Sequence, residues 1–344
     1  MACPAKVSIG IPTFNRSQSL CKAIEGVLGQ TYGDFELVIC DDASTDGTAD
    51  VVARYKDPRI RYIRNPKNLG LYQNINRCIE LSRGEYVAVY HDHDDYLPTI
   101  VEESVKVLDA HPNVGFVHTA IRSKNAHGEI AYTFAKDWPV VMAGRAFAEK
   151  IVHRWDSLIC GAVAMVRRSL YDEVGYFDPL FGPGADIDMW VRLALLADMG
   201  YVKTPQAVMM MRQSGDAYGS FRWCDVIGHF RLIERNLERI YESSPYRYAW
   251  HRRRYEFARD LKLLELCCRL IAKFQIDKLQ EARAVLKEEG SCWVGLSGGV
   301  LCRYPNLSGH LLHLPLIAYR AGWKLRINTE QRRAGQILAQ DGSR

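Results

Sequence analysis

No run in this 344-residue chain approaches the roughly 18 apolar residues that cross a bilayer. Met1–Lys6 holds no apolar signal core, and Val7–Ile11 is too short to be one, so a cytosolic chain is expected. The ten cysteines include no CxxC pair, and the adjacent Cys267 and Cys268 cannot easily bond to each other. Reduced thiols are therefore expected, rather than a zinc cluster or a disulfide framework. No glycine occurs in Pro12-Thr13-Phe14-Asn15-Arg16, directly after the first apolar strand. That absence excludes the GxGxxG turn of a dinucleotide dehydrogenase and the glycine-rich phosphate loop of a nucleotidyltransferase. There is no internal repeat and no low-complexity tract.

The chain has the makings of one large domain with an appendage. Its hydrophobic share of 48% and charged share of 25% are those of a folded globular protein. Charge is divided unevenly. From residue 222 onward there are 22 Lys and Arg against 13 Asp and Glu, and before it 23 against 27. A basic C-terminal part on an acidic N-terminal part suits contact with an anionic surface. The expected division is a domain over 1–222 and a basic, mainly helical region over 223–344.

Short apolar runs alternate with helical spacing through the first half. Val7–Ile11, Phe35–Cys40, Arg59–Arg64 and Tyr86–Tyr90 read as strands, the first ended by Pro12. Ser17–Leu28, Thr48–Tyr55 and Leu71–Leu81 read as helices. This alternation predicts an α/β fold with a mostly parallel sheet, whose ligands bind beyond the C-terminal strand ends. Arg- and Leu-rich helical patterns occupy 225–289, with breaks near Pro245 and Gln275.

Four clusters carry chemistry. Phe14 offers a flat ring at a strand end, for stacking on a base or sugar, or for packing its own loop. Asp41-Asp42 end the second strand; either carboxylate can accept an imide N–H, while Ser44 and Asp46 suit turns and helix caps. Asp92, Asp94 and Asp95 stand within four positions in Tyr90-His91-Asp92-His93-Asp94-Asp95. Their mutual repulsion is relieved by a cation, and carboxylate oxygens suit magnesium or manganese. His91 and His93 admit a zinc reading, which lacks a third nitrogen or sulfur ligand at a known spacing; a solvated acidic loop is the plain alternative. In Gly182-Pro183-Gly184-Ala185-Asp186, a glycine-rich loop feeds a helix with Asp186 at or near its N-cap. There it is ionised and able to take a proton, or simply caps.

Together with Asn68-Leu69-Gly70 and Arg83-Gly84-Glu85-Tyr86, these clusters resemble, in order and separation, the family-2 glycosyltransferases of the GT-A fold. The resemblance runs from about Val7 to Ser220. It implies a nucleotide-diphosphate-sugar transferase fold and an inverting transfer of a sugar to an acceptor hydroxyl. It implies that Pro12, Thr13, Phe14, Asp42, Asn68 and Asp92 bind the nucleotide sugar, Phe14 stacking on the base and Asp42 holding it. Asp94, with Asp92 as partner, would hold manganese or magnesium, and Asp186 would be the catalytic base. Asp95 could replace Asp94 in register.

Two departures stand out. The family often has Glu-Asp where this chain has Ala185-Asp186, and a histidine after an Arg where this chain has Met211-Arg212-Gln213-Ser214. They support an alternative, an inactive member serving as a nucleotide-sugar-binding or scaffolding module. The expected partners are a nucleotide-sugar donor, a glycan or lipid-linked acceptor in surface polysaccharide or glycolipid assembly, and an anionic membrane; nucleic acid is not expected. The membrane expectation rests on Arg247, Arg252, Arg253, Arg254 and Arg259 among Tyr246, Tyr248, Trp250, Tyr255 and Phe257, and on the apolar stretch Leu311–Trp323. It would place the protein on the inner face of the plasma membrane.

Overall fold

The computed structural model describes residues 5–125, 127–154, 163–210 and 223–256. The chain divides into two compact units, Met1–Tyr248 and Ala249–Arg344. Of the second unit only 249–256 are described, and they are helical. The stretch Met211–Ser214, residues from 257 onward and Leu311–Trp323 lie outside the described residues.

In the first unit, β1 (Val7–Thr13) is buried along its whole length, as a strand covered on both sheet faces must be. It pairs in parallel with β2 (Phe35–Asp41) and β4 (Tyr86–Val89), and β3 (Ile60–Arg64) adds in parallel to β2. The connections are α1 (Ser17–Leu28), α2 (Thr48–Ala53) and α3 (Leu71–Leu81). In α1 the buried residues Leu20, Ala23, Ile24 and Val27 fall at i, i+3, i+4 and i+7, one stripe facing the sheet. Each large side chain there contributes about 1.5–3 kcal/mol. A charge at Ile24 would be the single change most damaging to this contact.

Pro12 does not end β1 but lies inside it, opposite Cys40. The β4 ladder stops at Gly10–Val89, with Tyr90 N–H donating to the Gly10 carbonyl. Alternation along the strand aims the Pro12 nitrogen to that side, where no ladder remains to be broken. Gly84 has a different constraint. A side chain there would meet the Ser8 nitrogen at 2.7 Å, so its bareness lets the turn before β4 close onto β1.

The chain continues through β5 (Asp95–Tyr96), α4 (Ile100–Ala110), β6 (Val114–Lys124), β7 (Ile130–Phe134), β8 (Val141–Met142) and α5 (Gly144–Arg154). Then come β9 (Ala164–Arg167), α6 (Arg168–Val174), a 3-10 turn (Pro179–Gly184), α7 (Ala185–Leu196), β10 (Asp198–Met210) and α8 (Trp223–Tyr241). The described strands form one sheet in the order β3-β2-β1-β4-β9-β6-β10-β5, with β7 beside β6 and β8 beside β10. Because β9 is antiparallel to both β4 and β6, β6 runs the same way as β4, and β10 runs with it. The C-terminal ends of β1, β2, β4 and β6 therefore share one edge.

The first unit extends beyond the boundary expected at 222. On α8, Phe230, Leu232, Ile233, Leu237, Ile240 and Tyr241 are buried. Arg239 pairs with buried Asp188 of α7, and the Arg145 guanidinium of α5 donates to the Ile240 carbonyl. Sequence composition marks the change of character at 222, whereas packing carries the unit through α8. Among the described residues no helix is long and apolar enough to cross a membrane.

Candidate active site

The loops after β1 and β2 are clasped together. Asn15, in the left-handed region at φ 51°, donates its N–H to Ser44 Oγ at 2.9 Å, and its Oδ1 accepts from Thr45 N–H at 2.7 Å. Asp46 accepts from the N–H groups of Ser17 and Thr48, which open α1 and α2. Hydrogen bonds, first from the Thr48 hydroxyl, hold its carboxyl down at about 2. Asp46 is the N-cap of neither helix, since Arg16 and Gly47 hold those positions, but it accepts from the first N–H of both. Between these clasps Phe14 is left 43% exposed, an unusual state for a ring that had only to pack.

Asp41 and Asp42 are both buried. Asp41 accepts from Ser44 N–H at 2.9 Å and from the Tyr62 hydroxyl at 2.5 Å. Burial first, then this bond to Asp41, pushes the Tyr62 phenol well up. Asp42 accepts from Asn65 Nδ2 at 2.9 Å and from the N–H groups of Leu69 at 2.8 Å and Gly70 at 2.9 Å. It therefore organises Asn68-Leu69-Gly70, with exposed Asn68 also accepting from Gly70 N–H. Gly70 sits at φ 86°, which explains its glycine.

Beyond β4, stacked Tyr90 and Tyr96 rings 4.1 Å apart brace the run His91–Asp95, and the Tyr96 hydroxyl accepts from His91 N–H at 2.7 Å. Asp92 and Asp94 are buried. Asp92 Oδ2 accepts from Thr13 Oγ1 at 2.7 Å, and its Oδ1 lies 2.9 Å from His93 Nδ1. Asp94 Oδ2 lies 3.0 Å from His91 Nδ1. Asp95 stands apart, between Lys22 and Lys124. Burial opposes its ionisation, but these two ammonium groups outweigh it and hold the carboxyl below its usual range. Two cations thus sit on Asp95, whereas Asp94 is buried beside His91. One ligand atom each from His91, His93 and Asp94 lies within 4.8 Å of the others. Two imidazoles and a carboxylate are a donor set that fits a divalent transition ion.

Asp186 is not at the N-cap of its helix. Gly184 holds that position, and Asp186 lies in the first turn of α7, half-buried, accepting from Ile187 N–H at 2.8 Å. α7 ends one residue before β10 begins, at the edge opposite the strand C-termini. Its first turn therefore faces the edge that carries Asp42 and Asp94. The segment before α7 is tied to the same edge through α3. Asn76 exchanges two hydrogen bonds with the Phe177 backbone, at 2.8 and 2.9 Å, and Tyr72 stacks on Phe177.

Residues 8–175 match the model of glycosyl transferase family 2. The matched stretch belongs to that family. Its sheet is that of the GT-A fold, and as an enzyme it is a glycosyltransferase. It is 28% identical over 218 residues to the putative glycosyltransferase EpsE of Bacillus subtilis, covering 62% of this chain and 75% of that one. It is 27% identical over 248 residues to a chondroitin synthase of Escherichia coli, covering 70% of this chain but 34% of that longer protein. Among solved structures, S. aureus TarS 1-349 in complex with UDP-GlcNAc superposes with a TM-score of 0.55 at 18% identity, over 68% of this chain and 66% of that one. The mannosyltransferase PcManGT of Pyrobaculum calidifontis, in complex with GDP-Man and Mn2+, superposes at 0.53 and 17% identity, over 93% and 81%.

In this glycosyltransferase the structure brings Thr13 to Asp92, His91 to Asp94, and Asn68 and Asp42 onto one donor, the Gly70 N–H. Ligand atoms of His91, His93 and Asp94 converge, while Asp92 is bonded to Thr13 and His93. Sequence reasoning also missed Asp188, whose buried carboxylate binds Arg192 at 2.7 Å as well as Arg239. The i,i+4 spacing of Asp188 and Arg192 was a readable signal; the partner 51 positions away was not.

Proposed function

We propose that the protein transfers a sugar from a nucleotide-diphosphate-sugar donor to an acceptor hydroxyl, with inversion and with the help of a divalent cation. The carrying observation is the shared edge. Exposed Phe14, the loop held by Asp42, the run His91–Asp94 and the first turn of α7 all stand at the C-terminal ends of the parallel strands, where ligands of such sheets bind.

Phe14 stacks on the base, and Asp42 shapes the loop Asn68–Gly70 that encloses it. Pro12 and Thr13 bring β1 up to the donor, and Thr13 fixes Asp92 there. Asp186 accepts the proton of the acceptor hydroxyl as that oxygen attacks the anomeric carbon from the face opposite the diphosphate. The bond from anomeric carbon to diphosphate oxygen breaks, its electron pair leaves with the diphosphate, and the configuration inverts. General-base help of this kind contributes about 10²–10⁴-fold. The run His91–Asp94 would hold a manganese or magnesium ion, which would supply positive charge to stabilise the diphosphate as it leaves.

UDP-GlcNAc in TarS and GDP-Man in PcManGT support a nucleotide-sugar donor, and the chondroitin synthase relative supports a growing polysaccharide as acceptor. A lipid-linked acceptor on an anionic membrane suits the basic region from residue 223. Liposome co-sedimentation tests that part: the protein should pellet with anionic but not neutral vesicles, and high salt should release it.

The deciding experiment follows nucleoside diphosphate released from a panel of nucleotide sugars, with manganese and with excess EDTA. Release that depends on the metal is expected. Asp186→Asn should lower kcat by about 10²–10⁴-fold and leave the nucleotide Kd unchanged. No release from any donor, alongside intact nucleotide binding, would mean an inactive binding module. Full activity in EDTA would remove the cation from the mechanism.

A further inference from the structure

The strand β7 is exposed at every residue. Tyr132 and Phe134 stay 54% and 46% exposed, and two positions apart on a strand they share a face. Ala131 and Thr133, on the other face, are small. The two rings lie 4.5 Å apart, tilted by 39°, so they form one continuous aromatic surface. A solvated strand normally carries charge, and β7 carries none. Two rings left in water on such a strand mark a surface that binds something.

Sheet register sets where this surface stands. Ile121 of β6 pairs with Phe134 on one side and with Ala207 of β10 on the other, and Ala207 pairs with Tyr96. One row of residues therefore crosses the sheet from Tyr96, which braces the run His91–Asp95, to Phe134. Three strand spacings of about 4.8 Å, roughly 14 Å in all, separate its ends. β7 joins β6 only over Ile121–Lys124, the C-terminal end of that strand, so it belongs to the edge that carries the site. Phe14 and Asp42 stand at the ends of β1 and β2, and β6 lies three and four strands away from them.

We propose that Tyr132 and Phe134 form a subsite for a sugar of the acceptor glycan, remote from the hydroxyl that reacts. This rests on the transferase reading, which puts the nucleotide at β1 and β2 and leaves the β6 end of the edge to the acceptor. The chemistry of the rings selects the occupant. A pyranose presents C–H bonds of slight positive charge on its face, and the negative face of an aromatic ring attracts them. The Tyr132 hydroxyl adds a donor and an acceptor for sugar hydroxyls. An anionic membrane fits poorly, because residues 125–137 hold Glu129 and Asp137 against Lys136 alone and offer it no net attraction.

An array of polysaccharide fragments probed with the intact protein, followed by calorimetry of the fragments it retains, tests the subsite. The native protein should retain oligosaccharides. Tyr132→Ala and Phe134→Ala together should weaken them about 10-fold, the scale of aromatic stacking, and Tyr132→Trp should keep most of the affinity. The nucleoside diphosphate Kd should not change. In transfer assays the double variant should raise the acceptor KM, while release of nucleoside diphosphate to water stays the same. Both residues are exposed, so the variants should fold; if the double variant does not, the native array and Tyr132→Trp decide. No fragment retained by the native protein at millimolar concentration, or equal affinity in the double variant, overturns the proposal. So does a double variant whose only change is a lost dimer in sedimentation, or lost pelleting with phosphatidylserine vesicles. Ring-dependent glycan binding without nucleoside diphosphate release from any donor would sink the transferase reading and keep the sugar-binding surface. Release with unchanged glycan affinity would do the reverse.

Discussion

Thr13 and Asp92 are 79 positions apart in the chain, and a buried hydrogen bond of 2.7 Å from Thr13 Oγ1 to Asp92 Oδ2 joins them. It ties the end of β1, which presents Phe14, to the run after β4 that presents Asp94. The two sides of the site are thus one hydrogen-bonded unit. Thr13→Val keeps the shape and removes the donor, leaving a buried carboxylate oxygen without its partner. A loss of about 1–3 kcal/mol in unfolding free energy is expected, with Thr13→Ser retaining most of the stability. Denaturant unfolding of the three proteins measures it; equal midpoints for native and Val forms would make the bond incidental.

Phe14→Ala should weaken nucleotide binding more than it slows turnover. A ring 43% exposed between two clasped loops has an open face for a base. Base stacking on aromatic side chains contributes about 1–3 kcal/mol in nucleic-acid platforms, and the low end is expected for a single mononucleotide. Calorimetry of nucleoside diphosphate binding checks this, and an unchanged Kd would reduce Phe14 to a loop residue.

His118, buried on β6, has a different liability. Its Nδ1 has no hydrogen-bond partner, and burial pushes the imidazole down to about 3. The unfolded chain titrates near 6.5, so above that pH both states are neutral and the histidine adds no pH dependence. As pH falls from about 6.5 towards 3, the unfolded state takes a proton that the folded state refuses. Stability then falls by about 1.4 kcal/mol per unit. His118→Leu should lose this slope, so the variant-minus-native difference in unfolding free energy should grow on acidification, by about 2 kcal/mol near pH 5. Parallel curves for the two proteins would show that His118 is not the group responsible.

Much of this was legible in the sequence because short-range patterns decide it. The stripe Leu20, Ala23, Ile24, Val27 and the apolar runs of β1, β2 and β4 fixed the elements, and the alternation of strands and helices fixed the edge that carries the site. What could not be read were partners that depend on three-dimensional neighbours. Asp95 resembles Asp94 in the sequence, and their partners distinguish them, Lys22 and Lys124 for Asp95 and His91 for buried Asp94. His91 and His93 gave no third ligand at a familiar spacing; the turn after β4 brings a carboxylate oxygen of Asp94 within 4.8 Å of a ring nitrogen of each. Pro12 looked like a strand end until the early stop of β4 removed the ladder it would have broken.

The unit boundary gives the last test. Charge changes sign near residue 222, yet α8 buries an apolar face that includes Leu232, Ile233, Leu237 and Tyr241, each 2% exposed or less. Burying such side chains contributes about 1.5–3 kcal/mol each, comparable in sum to the net stability of a whole domain. Removing α8 also takes Arg239 from Asp188, which sits two positions after Asp186 and then keeps Arg192 as its remaining guanidinium partner. A fragment ending at 222 should therefore lack a cooperative unfolding transition, and one ending at 248 should unfold cooperatively. Arg239→Ala in the full chain isolates the ion pair. A cost of about 3 kcal/mol is expected, the low end for stripping a partner from a buried charge. Because Asp188 shares the first turns of α7 with Asp186, kcat should fall while the nucleotide Kd holds. A 1–222 fragment that melts as sharply as the 1–248 fragment would return α8 to the basic appendage.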